Sequence, residues 1–385
     1  MKSDNKSIKK MDRIVIILPS EASMDKNEEF GLLPRWKRLM DEYHLYFNRI
    51  DVYTCDTDDF SEKLGVNHHP CKILVNKKYL KAISYNVWLM LNMGKMKADI
   101  IRFFGSVYPF MPVYQMLNKT PKVTSYQYDF YMKTLLDFGK FRGKVAYLAE
   151  KYSVKYVKNI ITTTYELKDI LKERYGITDN VDVNPNFVDL STFTASDDEQ
   201  DYMFFAGRIF HAKGIDLIIE MMDKFKKDGR TTKFLLAGNG DVEMYQKMVD
   251  ERNLNDRITF LGAMPSEKVA EYMRHCKVFV FPTTSQEGHP KSLIEALASG
   301  APCVTTRVLG NTEVIQDEFE NGILVEPKDL NGLIKAVEKV LDDENLRKKL
   351  KVNAVKSAQK FDCKAVVANE ICIIEKIIRN NQKKK

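Results

Sequence analysis

No two cysteines of this chain form a C-x₂-C pair. The six, at Cys55, Cys71, Cys276, Cys303, Cys363 and Cys372, are scattered. That pattern argues against a zinc site or a disulfide framework and for a reducing cytoplasm. Cys303 lies in an apolar strand pattern and reads as a small core residue. No run approaches the roughly eighteen apolar residues of a spanning helix. The opening Met1-Lys-Ser-Asp-Asn-Lys-Ser-Ile-Lys-Lys lacks the apolar centre of a signal peptide. A G-x₄-G-K-[ST] loop is missing, which excludes P-loop chemistry. There is no repeat at solenoid periods. The charge excess is small, with a net charge of +7. Nucleic-acid binding would want a concentrated basic face with stacking aromatics, and only charge speaks for an RNA-binding reading.

What is present is an ordinary globular composition, 44% hydrophobic and 29% charged over 385 residues, enough for two domains. Arg13-Ile-Val-Ile-Ile-Leu-Pro19 reads as a buried first strand. Further strands are expected at 49–53, 72–75, 99–103, 122–125, 159–163 and 181–184. Helical patterns such as Tyr114–Asn118 and Tyr165–Tyr175 separate most of them. This βαβ alternation predicts a mostly parallel α/β sheet. The polar run Ser191–Gln200 reads as a linker, after which strands and helices alternate again to about Val340. A first domain over 1–190, a second over 200–362 and an amphipathic helical tail over 363–385 are therefore expected.

The stretch Phe281-Pro-Thr-Thr-Ser-Gln-Glu-Gly-His-Pro-Lys-Ser-Leu-Ile-Glu-Ala-Leu-Ala-Ser-Gly300 carries the most chemistry. It reads as a strand end, a polar loop and a helix. Pro290 fits the first helical position, and Gly300 with Pro302 ends the helix. Open α/β sheets bind ligands beyond their strands' carboxyl ends. The amides of His289, Lys291 and Ser292 would face that crevice at the positive end of the helix dipole, which suits an anionic group. Glu295 lies among Leu293, Ile294, Ala296, Leu297 and Ala298 and needs donors, such as sugar or ribose hydroxyls. An ordinary Lys291–Glu295 surface pair is the competing reading.

Upstream, Asp201-Tyr-Met-Phe-Phe-Ala-Gly-Arg-Ile-Phe-His-Ala-Lys-Gly214 reads as a buried strand and a loop before another amphipathic helix. Gly207 permits a tight turn or close approach. Arg208 offers a fork of donors to two phosphate oxygens, and Lys213 adds a compact cation before a helix N-terminus. A diphosphate would join them; two solvated loop cations are the bland alternative.

Taken together and in order, these elements resemble the donor-binding half of the retaining glycosyltransferases of family 4. Gly207-Arg208 with Lys213-Gly214 matches their diphosphate motif, and Glu287 with Glu295 their E-x₇-E motif. Phe234-Leu-Leu-Ala-Gly-Asn-Gly-Asp241, with Gly238, matches the strand and glycine loop between them. Ile258–Gly262, Val278–Pro282 and Gly322–Pro327 also fit in order. The likeness is strong over about residues 200–345 and loose in the first half. It implies the GT-B fold: two facing Rossmann-like domains, with a last helix crossing back to the first. It implies a hexosyltransferase that uses a nucleotide diphosphate sugar, retains anomeric configuration and needs no metal or other cofactor. Arg208 and Lys213 would neutralise the leaving diphosphate, and Glu295 would hold the ribose hydroxyls. Glu287 and the amides of Gly288, His289, Lys291 and Ser292, around Pro290, would orient the hexose. At His289 relatives often carry an aromatic or aliphatic residue; here the position in the donor loop would put an imidazole ring against the sugar.

Two departures concern the first domain. Relatives carry a Gly-Gly loop after the first strand; here Pro19–Leu32 has only Gly31. Relatives place His-Asp after the strand matched by Pro121–Ser125; here the pair is Tyr128-Asp129, assigned to the acceptor. Tyrosine can hydrogen-bond a sugar hydroxyl but is no base at neutral pH. Asp56-Thr-Asp58 is a D-x-D read as an acidic turn, and His68-His69 before Pro70 as an exposed loop. Lys133–Lys158 interleaves seven cations with apolar residues, which suits an anionic membrane surface at the inner face or an ordinary solvated helix. The acceptor would be a glycan or a lipid-linked sugar. An inert sugar-nucleotide-binding subunit of a glycan assembly and a GT-B epimerase are the alternatives.

Overall fold

The computed structural model describes residues 10–20, 22–29, 31–71, 78–316 and 319–383. The chain forms two compact units, Met1–Pro185 with Cys363–Lys385, and Asn186–Asp362.

The first unit runs β1 (Met11–Ile17), α1 (Met24–Glu29), α2 (Leu33–Tyr43), β2 (Phe47–Thr54), α3 (Ser61–Leu64), β3 (Asn67–Pro70), α4 (Lys78–Met93), β4 (Ile100–Phe103), α5 (Met111–Leu117), β5 (Lys122–Tyr126), α6 (Phe130–Val157), β6 (Ile160–Thr162), α7 (Tyr165–Tyr175) and β7 (Val181–Val183). Its sheet has the order β3-β2-β1-β4-β5-β6-β7, every neighbouring pair parallel. Ile14 to Ile17 are fully buried, because helices cover both faces of the central strand. The strand expected over 72–75 lies outside the described residues. The third strand instead includes His68 and His69, which corrects their reading as an exposed loop. His68 is buried: its Nδ1 accepts from Phe60 N–H at 3.0 Å, and its Nε2 lies 2.6 Å from Thr54 Oγ1.

The second unit runs β8 (Gln200–Ala206), α8 (Ile215–Lys227), β9 (Lys233–Ala237), α9 (Val242–Glu251), β10 (Ile258–Gly262), α10 (Ser266–His275), β11 (Cys276–Phe281), α11 (Lys291–Ala298), β12 (Cys303–Thr306), α12 (Asn311–Val314), β13 (Ile323–Val325), α13 (Leu330–Asp342) and α14 (Glu344–Ala358). Its parallel sheet has the order β10-β9-β8-β11-β12-β13. The apolar runs Met203–Ala206 and Val278–Phe281 fill its centre, and Cys303 is fully buried there. Two Rossmann-like parallel sheets in one chain are the architecture the alternation predicts. The polar run before β8 is packed on this second unit: Phe193 is buried, and Arg274 donates to Thr192 C=O at 3.1 Å.

The last helix, α15 (Cys363–Gln382), returns to the first unit. A carboxylate secures it. Glu370 accepts from Arg102 Nε at 2.6 Å and from the Tyr43 hydroxyl at 2.8 Å, all three buried. Burying that pair is tolerable because both ions are hydrogen-bonded.

Candidate functional site

Three loops converge beyond the carboxyl ends of β8, β11 and β12. After β8, Gly207 N–H donates to Ala237 C=O at 3.0 Å and Ile209 N–H to Asn239 C=O at 2.8 Å, so this loop is laid along the β9 loop. Gly238 faces it so closely that a Cβ there would sit 1.8 Å from Gly207 O. Only glycine fits. A 3₁₀ turn, His211–Lys213, then presents Lys213 just ahead of α8.

The β11 loop is stitched to both neighbours. Thr284 N–H donates to Ala212 C=O at 2.9 Å, and Glu287 N–H to Leu309 C=O at 3.0 Å. Gly310, at φ 85°, backs onto Glu287: a Cβ there would lie 2.6 Å from its carbonyl oxygen. Threonines complete the brace. Thr305 Oγ1 donates to Phe281 C=O at 2.7 Å and Thr306 Oγ1 to Thr283 C=O at 2.5 Å. The buried Asn311 donates to Thr305 Oγ1 at 2.8 Å and to Thr306 C=O at 3.0 Å.

These loops bring Lys213 and Glu287 into direct ion pairing, each side chain 16% exposed. The Lys213 ammonium also lies over the Phe281 ring, 4.9 Å from its centroid. The Thr283 hydroxyl is 3.0 Å from Glu287 Oε1 and 2.8 Å from Ala212 O. Thr283, Thr306 and Asn311 thus support the carboxylate, and sequence reasoning passed over them. The only signal was a polar pair following an apolar strand.

Arg208 is exposed, its guanidinium over the Phe210 ring at 5.6 Å from the centroid. Glu295 is half-buried rather than enclosed, while Leu293, Ile294 and Ala296–Ala298 form the buried face of α11. Pro290 is the N-cap, with extended ψ 112°, one position earlier than its sequence preference suggested. The first intrahelical bond runs from Ile294 N–H to Pro290 C=O at 3.2 Å. The amides of Lys291 and Ser292 therefore precede the hydrogen-bonded ladder, at the positive end of the dipole. Lys291 itself is exposed.

His289 corrects an expectation. Its ring is turned inward, 5% exposed and edge-on to Phe361 at 5.2 Å. Its Nδ1 accepts from Asn186 N–H at 3.3 Å, and its carbonyl accepts from Asn186 Nδ2 at 2.7 Å. Burial, with the Lys360 charge, pushes its pKa down to about 3. The ring anchors the loop from inside rather than lining its open face; Gly288 follows Glu287 in the same braced loop.

In the first unit, Asp129 also departs from its acceptor-binding assignment. Arg174 holds both of its oxygens at 2.6 Å, and Oδ1 also caps α6 by accepting from Met132 N–H at 2.9 Å. Its side chain is 4% exposed. Tyr128 beside it is half-buried, with the Lys133 ammonium 5.3 Å from its ring centroid. The Asp56 carboxylate is occupied by Met24 N–H at 3.0 Å and Asp25 N–H at 3.3 Å, so the D-x-D serves the local fold. Among the described residues, no group of three or more His, Cys, Asp or Glu side chains is placed to hold a metal ion.

Two family descriptions match the chain. Glycosyl transferases group 1 covers residues 189–357, and Glycosyltransferase Family 4 covers residues 46–192. Alpha-D-kanosaminyltransferase of Streptomyces kanamyceticus is 30% identical over 185 residues, 48% of this chain and 42% of that protein. UDP-Gal:alpha-D-GlcNAc-diphosphoundecaprenol alpha-1,3-galactosyltransferase of Escherichia coli is 26% identical over 215 residues, 51% of this chain and 54% of that one. The chain spans about half the length of the curated relatives it matches. Sucrose-phosphate synthase from Thermosynechococcus elongatus superposes with a TM-score of 0.75 at 18% identity, covering 96% of this chain and 100% of that one. The Anabaena protein HepE, solved with UDP and glucose, gives 0.72 at 14% identity, covering 97% and 100%. The solved structures share the fold.

Proposed function

The chain belongs to the family 4 type of glycosyltransferases, and from that premise we propose that it moves a hexose from a nucleotide diphosphate sugar to a glycan or lipid-linked acceptor. The transfer retains anomeric configuration and needs no metal. The observation that carries this reading is the Lys213–Glu287 pair, braced beside the first turn of α11. An ammonium has three donors, so Lys213 can keep Glu287 and still bind a phosphate oxygen. Arg208, at the surface of the same loop, closes on the diphosphate as a fork. These cations and the dipole of α11 stabilise the departing diphosphate, the charge a metal would otherwise meet. Glu287 accepts from hexose hydroxyls and Glu295 from ribose hydroxyls. The first unit takes the acceptor, with Tyr128 a hydrogen-bonding candidate, and the basic Lys133–Lys158 segment holds the enzyme peripherally on the inner membrane face. No described helix is long and apolar enough to cross a membrane.

The test begins with a thermal-shift screen of nucleotides and nucleotide sugars, since a ligand of the native state stabilises it by mass action. NMR of the product from the best donor then reads the anomer. An inverted product overturns retention, and abolition of turnover by EDTA overturns metal independence. Glu287→Gln should lower turnover and Glu295→Gln nucleoside diphosphate affinity; the opposite pattern reverses the two roles.

A further inference from the structure

Helix α6 is inside out. Beyond the break at Gly139 (φ 81°), the side it buries is small or polar: Gly143, Ala146, Glu150 and Ser153, followed by Val154 and Val157. The side it exposes is large and apolar: Phe141, Val145, Leu148, Tyr152 and Tyr156. At about 100° per residue those five fall within roughly a quarter of the circumference. A helix on a water-soluble domain turns that stripe to the core. Phe141 is 81% exposed.

The neighbouring helices continue the surface. In this sheet order β1→β2 and β4→β5 step in opposite directions, while β3→β4 and β5→β6 step the same way as β4→β5. Right-handed crossovers therefore put α4, α5 and α6 on one face, opposite α2. Side chains join the three: Tyr114 OH on α5 donates to Asn86 on α4 at 2.7 Å, and Gln115 donates to Tyr156 C=O on α6 at 3.1 Å. Helix α4 is apolar on two sides. Tyr85, Leu89 and Met93 are in the core, while Leu80, Ile83, Val87 and Leu91 face outward at 3- and 4-residue spacing. Met116 and Leu117 on α5 lie exposed between the stripes.

We propose that the outer faces of α4, α5 and α6 form one monotopic surface that inserts its apolar side chains into an anionic lipid bilayer. The proposal rests on the membrane reading of Lys133–Lys158 and extends it from charge attraction by one segment to burial of a three-helix face. Charge selects this occupant over a second copy of the chain. Lys140, Arg142, Lys144 and Lys155 are exposed around the α6 stripe. The three helices contain only two acids, Asp137 and Glu150, and Glu150 is fully buried. Two copies would set like charges together. Anionic headgroups meet the cations, whose long stems let them rise to the interface as the stripe sinks.

The test is flotation of the full chain with phosphatidylcholine vesicles, with and without phosphatidylglycerol. Wild type should float with the acidic vesicles and poorly with the neutral ones. Phe141→Gln with Leu148→Gln should lower partitioning at least about tenfold, and Val87→Gln with Leu91→Gln at least about threefold. All these positions are exposed, so thermal midpoints should hold. Leu91→Trp and Phe141→Trp should each add emission that shifts to the blue on acidic vesicles. If the α4 pair floats like wild type and Leu91→Trp is silent while the α6 pair fails, the three-helix surface is overturned and the basic segment alone survives. No flotation of wild type at low salt overturns both. A concentration-dependent dimer abolished by Phe141→Gln assigns the face to a second copy instead. Nucleotide thermal shifts are read separately, so loss of the donor site is a different outcome.

Discussion

Asp129 and Glu287 each stand just beyond the carboxyl end of a parallel strand, in different units, and their surroundings are opposite. Asp129 is closed in. Arg174 takes both oxygens, α6 is capped on one of them, and Arg174 also reaches to 3.6 Å from the buried Glu150. Glu287 is held from one side, by Lys213 and Thr283, at a loop rim that stays partly exposed. A charge satisfied on every side specifies a fold. A charge braced on one side and open on the other can exchange partners with a ligand. The residue after the strand is thus no guide by itself to function; the completeness of its partner set is.

The sharpest way to break this contrast is by stability against turnover. Arg174→Ala should cost on the order of 3 kcal/mol, because it strands Asp129 beside Glu150 in a buried setting. Lys213→Ala should cost less, on the order of 1–2 kcal/mol, because Glu287 is less buried than Asp129 and keeps the Thr283 hydroxyl. Yet it should lower donor turnover at least about tenfold, a loss of roughly 1.4 kcal/mol of transition-state stabilisation. Denaturant unfolding and steady-state kinetics on the same two variants decide; equal stability losses would end the comparison.

The two units should also respond to pH with opposite sign. His289, in the second unit, has its pKa pushed down to about 3 by burial. The unfolded chain binds the proton from about pH 6.5 downward and the folded chain does not, so stability is full above that and falls with acid. By pH 5 the loss is about 2 kcal/mol, at 1.36 kcal/mol per unit. Glu150, in the first unit, has its pKa raised by burial, against the Tyr175 and Tyr126 hydroxyls. Its contribution is present in acid and is lost as pH rises through the folded value. Urea unfolding of His289→Gln across pH 5–7 should be flatter than wild type, whereas Glu150→Gln should steepen the acid limb. A wild-type acid limb that survives His289→Gln unchanged would remove the histidine from this account.

Donor binding by the exposed cation and the threonine brace behind Glu287 give two further tests. Arg208→Ala should weaken donor binding or turnover by about 1.5–3 kcal/mol, with Lys restoring only part because it lacks the fork. Thr306→Val removes one buried hydrogen bond, worth about 1 kcal/mol, and loosens the Thr283 carbonyl behind Glu287. A several-fold fall in turnover with substrate affinity kept is the expected result. Unfolding midpoints lowered without any kinetic change would make the brace purely structural.

Much of the fold was legible because both sheets are buried on two faces. Such strands are continuous apolar runs, as in Ile14–Ile17 and Val278–Phe281, and their alternation with helices defines a parallel α/β architecture. The Glu287–Glu295 spacing and the paired cations Arg208 and Lys213 were likewise readable as local chemistry. The inward turn of His289 was not, because a polar ring in a glycine-proline loop gives no sign of the Asn186 amide 103 residues away. Nor was the burial of His68, whose partners Thr54 and Phe60 come from other turns of the chain.

By itself, then, the sequence determined the class of fold and the strand-loop-helix frame of the candidate site, since each rests on periodicity and short spacing along the chain; the family came from the likeness of its ordered motifs. Tertiary structure alone decided that Lys213 is already neutralised by Glu287, that Asp129 is closed off by Arg174, and that the apolar stripe of α6 faces outward. The physical reason is common to all three. Helical periodicity reveals that a face is apolar but not which way it points, and a charge's role depends on partners supplied by distant segments. Those choices are made only when the layers pack.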